Sequence, residues 1–196
     1  MSSIETPYSQ EEQKILLDIA RASIENGLRV GVALEPVTGN YPAPLQELRA
    51  TFVTLKKTGE LRGCIGTLSA IRPLVNDVAH NAYAAAFEDP RFPSMQSKEL
   101  PDTTLSISIL SEATPISFGS EQDLIAQLRP GVDGLIISDG YHRATFLPSV
   151  WESLESPEEF LNHLKHKAGL SPSYWSDTLK AQRYTSFSID ETSFGS

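Results

Sequence analysis

One residue in the chain is a thiol. Cys64 stands in Leu61-Arg62-Gly63-Cys64-Ile65-Gly66-Thr67. Beside the Arg62 guanidinium it is a candidate nucleophile or redox group, because the thiolate is the reactive form and a neighbouring cation favours it. Glycine is unfavourable inside a strand, so Gly63 and Gly66 mark a bulge, a tight turn or a place where a ligand approaches the backbone. The competing reading of Cys64 is a small buried hydrophobe. A nucleophile needs a base, and the histidines are His80, His142, His163 and His166. His142 follows the Asp139-Gly140 turn and precedes Arg143. His163 and His166 are three apart and share a helix face, but no carboxylate pattern of a zinc protease accompanies them and no metal is expected. A second cluster, Glu88, Asp89 and Arg91, is framed by Pro90 and Pro93. A stiff loop presents such groups to a ligand with little entropy loss; turn formation and neutralisation of a helix C-terminus are the plainer explanation. The candidates are therefore Cys64, Glu88 and Asp89 for catalysis, and Arg62, Gly63, Gly66, Arg91, His142 and Arg143 for ligand binding.

The remaining composition narrows the chemistry. A single cysteine excludes an intramolecular disulfide framework, a multi-cysteine zinc site and a protein-held iron–sulfur cluster. No phosphate-binding loop, dinucleotide glycine fingerprint, nucleophile elbow or calcium loop is present, and no cofactor is expected. Against 25 Asp and Glu stand 16 Lys and Arg, a net charge of −9. Such a chain repels phosphate backbones and anionic lipid, which argues against nucleic-acid and membrane partners. No window approaches the roughly 18 apolar residues of a membrane span, and Met1-Ser2-Ser3-Ile4-Glu5-Thr6-Pro7 lacks the basic and apolar regions of a secretory leader, so the expected location is cytoplasmic. The 196 residues, at about 150 per domain, predict one domain over 1–196, a larger lobe with a smaller inserted or appended one.

The elements that must position these residues follow from pattern. Ser9-Gln10-Glu11-Glu12 is a capping box opening a helix over about 10–26, with Asn26-Gly27 as its stop. Residues 34–48, with three prolines, read as an irregular crossover. Arg49–Lys56 and Leu61–Thr67 form a hairpin around Thr58-Gly59-Glu60. A helix over Arg72–Phe87 ends at Pro90, and Thr104–Ser111 alternates as a strand with one buried face. Ser120 caps a short helix through about Arg129, and Asp139-Gly140 joins strands Gly134–Ser138 and Tyr141–Leu147. Ser156-Pro157-Glu158-Glu159 opens a helix over about 157–168 with Gly169 as its stop, and Arg183–Ile189 adds a late strand. Four helices and five or six strands, paired as hairpins, predict an α+β fold with a mainly antiparallel β-sheet flanked by helices.

Leu61-Arg62-Gly63-Cys64-Ile65-Gly66 resembles the signature hexapeptide of the AMMECR domain family, whose prokaryotic members are called AmmeMemoRadiSam system protein A. Phe87-Glu88-Asp89-Pro90-Arg91-Phe92-Pro93, Ile107-Ser108-Ile109-Leu110-Ser111, Arg143–Trp151 and Lys167-Ala168-Gly169-Leu170 resemble further family blocks in the same order. The resemblance covers about residues 10–190. It implies two unequal lobes in one compact domain, a hallmark segment around Cys64 near a cleft, and association with a Memo-like protein and a radical-SAM enzyme. It is weakest at His142, which counts against a Cys64–His142 dyad. Two readings follow. In one, a small-molecule ligand is bound beside Cys64 and passed to partners. In the other, Cys64 is the nucleophile of an enzyme, Arg62 and Arg91 hold an anionic group, and Glu88 or Asp89 handles protons.

Overall fold

Ser9 opens the first helix with reciprocal bonds: its hydroxyl accepts the Glu12 N–H at 3.1 Å, and the Glu12 carboxylate accepts the Ser9 N–H at 2.8 Å. The computed structural model describes residues 6–194; residues 1–5, which carry most of the stretch read above for a leader, lie outside the described residues. The first helix, α1 (Gln10–Val30), passes through Gly27 and stops at Gly31, whose φ of 79° supplies the left-handed cap. Gly27 is a contact residue: a Cβ there would collide with the rings of Tyr83 and Phe87. The crossover expected to be irregular holds a 3-10 turn at Thr38–Asn40 and a short helix, α2 (Ala43–Gln46).

The remaining elements are β1 (Thr51–Lys57), β2 (Glu60–Gly66), α3 (Leu74–Phe87), a 3-10 segment Ser97–Asp102, β3 (Thr103–Leu110), β4 (Thr114–Pro115), α4 (Glu121–Gln127), β5 (Gly134–Asp139), β6 (His142–Phe146), a 3-10 turn Pro148–Glu152, α5 (Pro157–Lys167), β7 (Lys180–Tyr184), β8 (Ser186–Asp190) and a 3-10 turn Glu191–Phe194. The fold is α+β, as expected, and its strands fall into two antiparallel sheets ordered β2-β1-β3-β8 and β4-β7-β5-β6. The alternation over 183–189 reads as one strand, yet it breaks at Thr185 and serves both sheets.

The chain divides into two compact units. The first holds the described residues through Leu110 and those from Phe187 onward. Its core joins Leu16 and Ile24 of α1, Val78 and Ala82 of α3, and Val53, Leu55, Leu105 and Ile107 of the sheet, all fully buried. The second unit is Ser111–Ser186. There Leu135 and Ile137 pack with Leu124, Phe160, Leu161 and Leu164, and the Trp151 indole stacks on Phe160 with ring centroids 3.8 Å apart. No helix among the described residues is long and apolar enough to cross a membrane.

Candidate functional site

The β1–β2 hairpin turns on Thr58 and Gly59, both at positive φ, and its register slips once: Leu55 faces Gly63 but Lys56 faces Leu61. Arg62 is the extra residue of this bulge, and a bulge re-aims the side chain it carries. The Arg62 side chain is only 8% exposed and donates from Nε to Glu99 at 2.9 Å and from Nη2 to the Pro93 carbonyl at 2.7 Å. Its Nη1 is buried with no partner among the described residues. The Arg62 guanidinium in turn holds the Glu99 carboxyl down at about 2, against the opposing effect of burial.

Gly63 lies where the strand meets α3. A Cβ there would strike the Ala85 carbonyl oxygen, and one on Gly66 would strike the ring of its register partner Phe52. At both glycines the space a side chain would take is filled by the protein's own atoms. Cys64 lies opposite Thr54, with Sγ 3.2 Å from the Thr54 hydroxyl, and is half-buried.

β2 is an edge strand, so its outward backbone groups need other partners. The Cys64 N–H finds one in Asp89 at 3.0 Å. The Asp89 carboxylate, 2% exposed, also accepts the Arg91 N–H at 3.0 Å, Arg91 Nε at 3.0 Å and Arg91 Nη2 at 2.7 Å. The Arg91 guanidinium holds the Asp89 carboxyl far below the usual carboxylate range; burial opposes this, and the Cys64 and Arg91 backbone N–H groups add to it. Arg91 itself stays 54% exposed, with Nη2 3.5 Å from the Cys64 carbonyl oxygen. Arg62 and Arg91 flank the Phe92 ring at 5.8 and 5.5 Å from its centroid.

The structure thus brings together Arg62, Gly63, Cys64, Asp89 and Arg91, with Gly66 at the end of the same strand. Glu88 ends α3 through a backbone bond to Ala84 at 2.7 Å, and its exposed side chain has no described partner. His142 and Arg143 belong to the second unit, and their described interactions are within it. His142 Nδ1 is 2.9 Å from the Ala168 carbonyl; a carbonyl only accepts, so Nδ1 carries the proton. His80, His163 and His166 are exposed.

Three participants were missed. Thr54 and Glu99 become neighbours of Cys64 and Arg62 only through strand register and chain return, which leave no local signal. Asp77, fully buried, accepts the Thr51 N–H at 2.9 Å, the Thr51 hydroxyl at 2.7 Å, the Thr67 hydroxyl at 3.0 Å, Asn81 Nδ2 at 3.1 Å and Arg72 Nε at 3.0 Å. It ties β1 and the end of β2 to α3. Asp77 and Asn81, four apart among apolar helix residues, were a readable sign of a buried polar cluster.

The AMMECR1 family model matches residues 17–189. The chain belongs to the AMMECR1 family. The matched stretch contains every residue of the Cys64 group. A protein of Methanothermobacter thermautotrophicus is 38% identical over 176 residues, covering 87% of this chain and 89% of that one. A protein of Thermotoga maritima is 40% identical over 165 residues, covering 83% and 89%. The crystal structure of uncharacterized protein PH0010 from Pyrococcus horikoshii superposes with a TM-score of 0.86 at 32% identity, covering 93% of each chain.

Proposed function

We propose that this AMMECR1-family protein binds a small anionic molecule beside Cys64, with Arg91 as the receiving cation, and passes it on within a cytoplasmic system containing a Memo-like protein and a radical-SAM enzyme. One observation carries the reading: a buried carboxylate fixes an exposed guanidinium next to a half-buried thiol. Ordering a free arginine costs up to about 2 kcal/mol of rotamer entropy. Here Asp89 has largely settled that cost during folding, so a ligand meets a preorganised donor. Arg62, closed off by Glu99 and Pro93, supports the loop through Phe92. The net charge of −9 favours a small molecule over nucleic acid as occupant, and a reducing compartment suits an unpaired thiol. The partners rest on the resemblance of the signature blocks to AmmeMemoRadiSam system protein A.

The cysteine-enzyme reading keeps the same thiol, and the nearby Thr54 hydroxyl and Arg91 cation favour it. Its weak point is the base. Asp89 is held ionised by four hydrogen bonds, and a carboxylate so stabilised takes up a proton poorly.

Alkylation of Cys64 by iodoacetamide, followed by mass spectrometry, tests the proposal. Inorganic phosphate, pyrophosphate and benzoate are expected to slow labelling, at least one of them by about tenfold at saturation, and Arg91→Ala to abolish that protection. Labelling that no anion slows, in a protein whose thiol reacts without denaturant, overturns it. A Memo-like protein retained equally by the native chain and by Arg91→Glu would remove the site's role in partner hand-over.

A further inference from the structure

The sheet face that carries Cys64 carries more than the thiol. Along β1, Val53 and Leu55 enter the core, so Phe52 and Thr54, which alternate with them, point to the other face. Cys64 of β2 and Ser106 of β3 are both in register with Thr54, and side chains directly opposite in neighbouring strands share a face. Cys64, Thr54 and Ser106 therefore form one row across three strands, about 10 Å from end to end. All three are half-buried although the core lies on the other side of the sheet. The Cys64 N–H turns outward to Asp89, which makes Cys64 and Thr54 a pair without mutual backbone bonds, the kind whose side chains stand closer; Sγ accordingly lies 3.2 Å from the Thr54 hydroxyl. Among the described residues that thiol is the only hydrogen-bond partner of the Thr54 hydroxyl, and the Ser106 hydroxyl has none.

The row has a charged end and an apolar flank. At its β2 end stands Arg91, held by Asp89, with Nη2 3.5 Å from the Cys64 carbonyl oxygen. Lys56, the next residue of β1 on this face, is exposed and adds a second positive charge. In the adjacent row Gly66 and Ser108 are in register with Phe52, and the Phe52 ring fills the space over Gly66, which sets it beside Cys64. Asp190, the acid of β8, is turned to Thr192, whose N–H and hydroxyl it accepts at 2.9 and 2.7 Å. A simple anion would use Arg91 and leave both hydroxyls of the row idle. A ligand that carries hydroxyls behind its charged group would use all three, with its C–H side toward Phe52.

We infer that the anion site at Arg91 and Cys64 continues along this row and takes a small polyhydroxylated anion, a sugar phosphate or sugar acid, with its charged group at Arg91 and its hydroxyls on Thr54 and Ser106. This rests on the anion site proposed above and names its substrate class. Protection of Cys64 from iodoacetamide in the full-length protein tests it with two matched pairs of probes: ribose 5-phosphate against pentyl phosphate, and gluconate against hexanoate. In at least one pair the hydroxylated member is expected to protect at about tenfold lower concentration, and which pair does so identifies the anionic group. Ser106→Ala is expected to weaken that protection about threefold to tenfold, the worth of one hydrogen bond, while leaving the alkyl member of the pair unchanged. An unaltered urea midpoint verifies the fold of the variant. The inference is overturned if the alkyl members protect as well as the hydroxylated ones in both pairs, or if Ser106→Ala leaves the preference intact. In either case protection by simple anions that Arg91→Ala abolishes would still support the anion site, whereas protection by no anion at all removes both.

Discussion

Asp89 combines burial, a full negative charge and four accepted hydrogen bonds, and the stability of its loop depends on that charge. Its folded-state value lies far below, and that of Glu99, at about 2, well below, the values of free Asp and Glu, about 3.9 and 4.3. Both ionised carboxylates therefore contribute stability that is present in full above about pH 5 and is withdrawn as acid brings the pH down through the folded-state values. Asp89→Asn is expected to cost about 2–3 kcal/mol at pH 7, since the amide removes the charge opposite Arg91 and keeps one accepting oxygen in place of two, turning an NH2 toward the remaining donors. Urea unfolding at pH 7 and pH 3 measures this, and the gap between native and variant should shrink at pH 3. A gap of the same size at both pH values would mean that the charge is not what holds the loop. The Asp89–Arg91 pairing was half legible: the prolines announced a stiff loop with functional groups, but the bond from Asp89 to the Cys64 backbone needs β2 to be an edge strand. The direction of Arg62 was hidden for a related reason: Gly63 marked a bulge as one of its readings, but which residue is the extra one is set by the register of β2 against β1.

Elements were easiest to read where local chemistry alone decides them. The Ser9–Glu12 capping box and the Ser156-Pro157 helix start stand as their residues require, while the hairpin expected to turn at Asp139-Gly140 turns one residue later, at Gly140-Tyr141, with Asp139 paired to His142. Reading failed where packing overrides local preference. Asn26-Gly27 reads as a helix stop, yet Gly27 continues α1 because two rings of α3 occupy the space beside it. The run 183–189 keeps one alternation through Thr185 although two sheets divide it, because period two does not register a change of partner. The glycines around Cys64 give a test at this scale. At Gly63 a methyl meets backbone, the Ala85 carbonyl, so β2 and α3 must separate; at Gly66 it meets the half-buried Phe52 ring, which can shift. Gly63→Ala is expected to cost about 2–3 kcal/mol or more, and Gly66→Ala about 1 kcal/mol. Chemical denaturation of the two variants decides it. Equal costs would show that β2 lies on α3 with room to spare.

At the scale of the molecule, length pointed to one domain over 1–196 and the family blocks to two unequal lobes within it; the chain divides into two compact units, of which the second interrupts the first. A composition average has no access to this division, because the two cores draw on the same residue types. The second unit has what an independent fold needs. Its sheet is complete in four strands. Leu124, Leu135, Ile137, Phe160, Leu161 and Leu164 are fully buried within its own cluster. Trp151 anchors the turn after β6 by stacking on Phe160 and by donating its indole N–H to the Asp133 carbonyl at 2.7 Å. Its two ends are also tied together: the Ser111 N–H donates to the Thr185 carbonyl at 2.8 Å, and the Thr185 N–H donates to the Ser111 hydroxyl at 2.8 Å. Segments with adjacent ends are the ones that chains tolerate as insertions, because closing them costs the host little. The excised segment 111–186 is therefore expected to fold by itself, with dispersed amide resonances and one cooperative urea transition of about 3–5 kcal/mol, the range a core of this size sustains. The first unit, by contrast, depends on the returning strand β8 for the edge of its sheet, so the chain cut after Leu110 should lack a cooperative transition. A random-coil spectrum from 111–186 would mean that its core is stable only within the full chain.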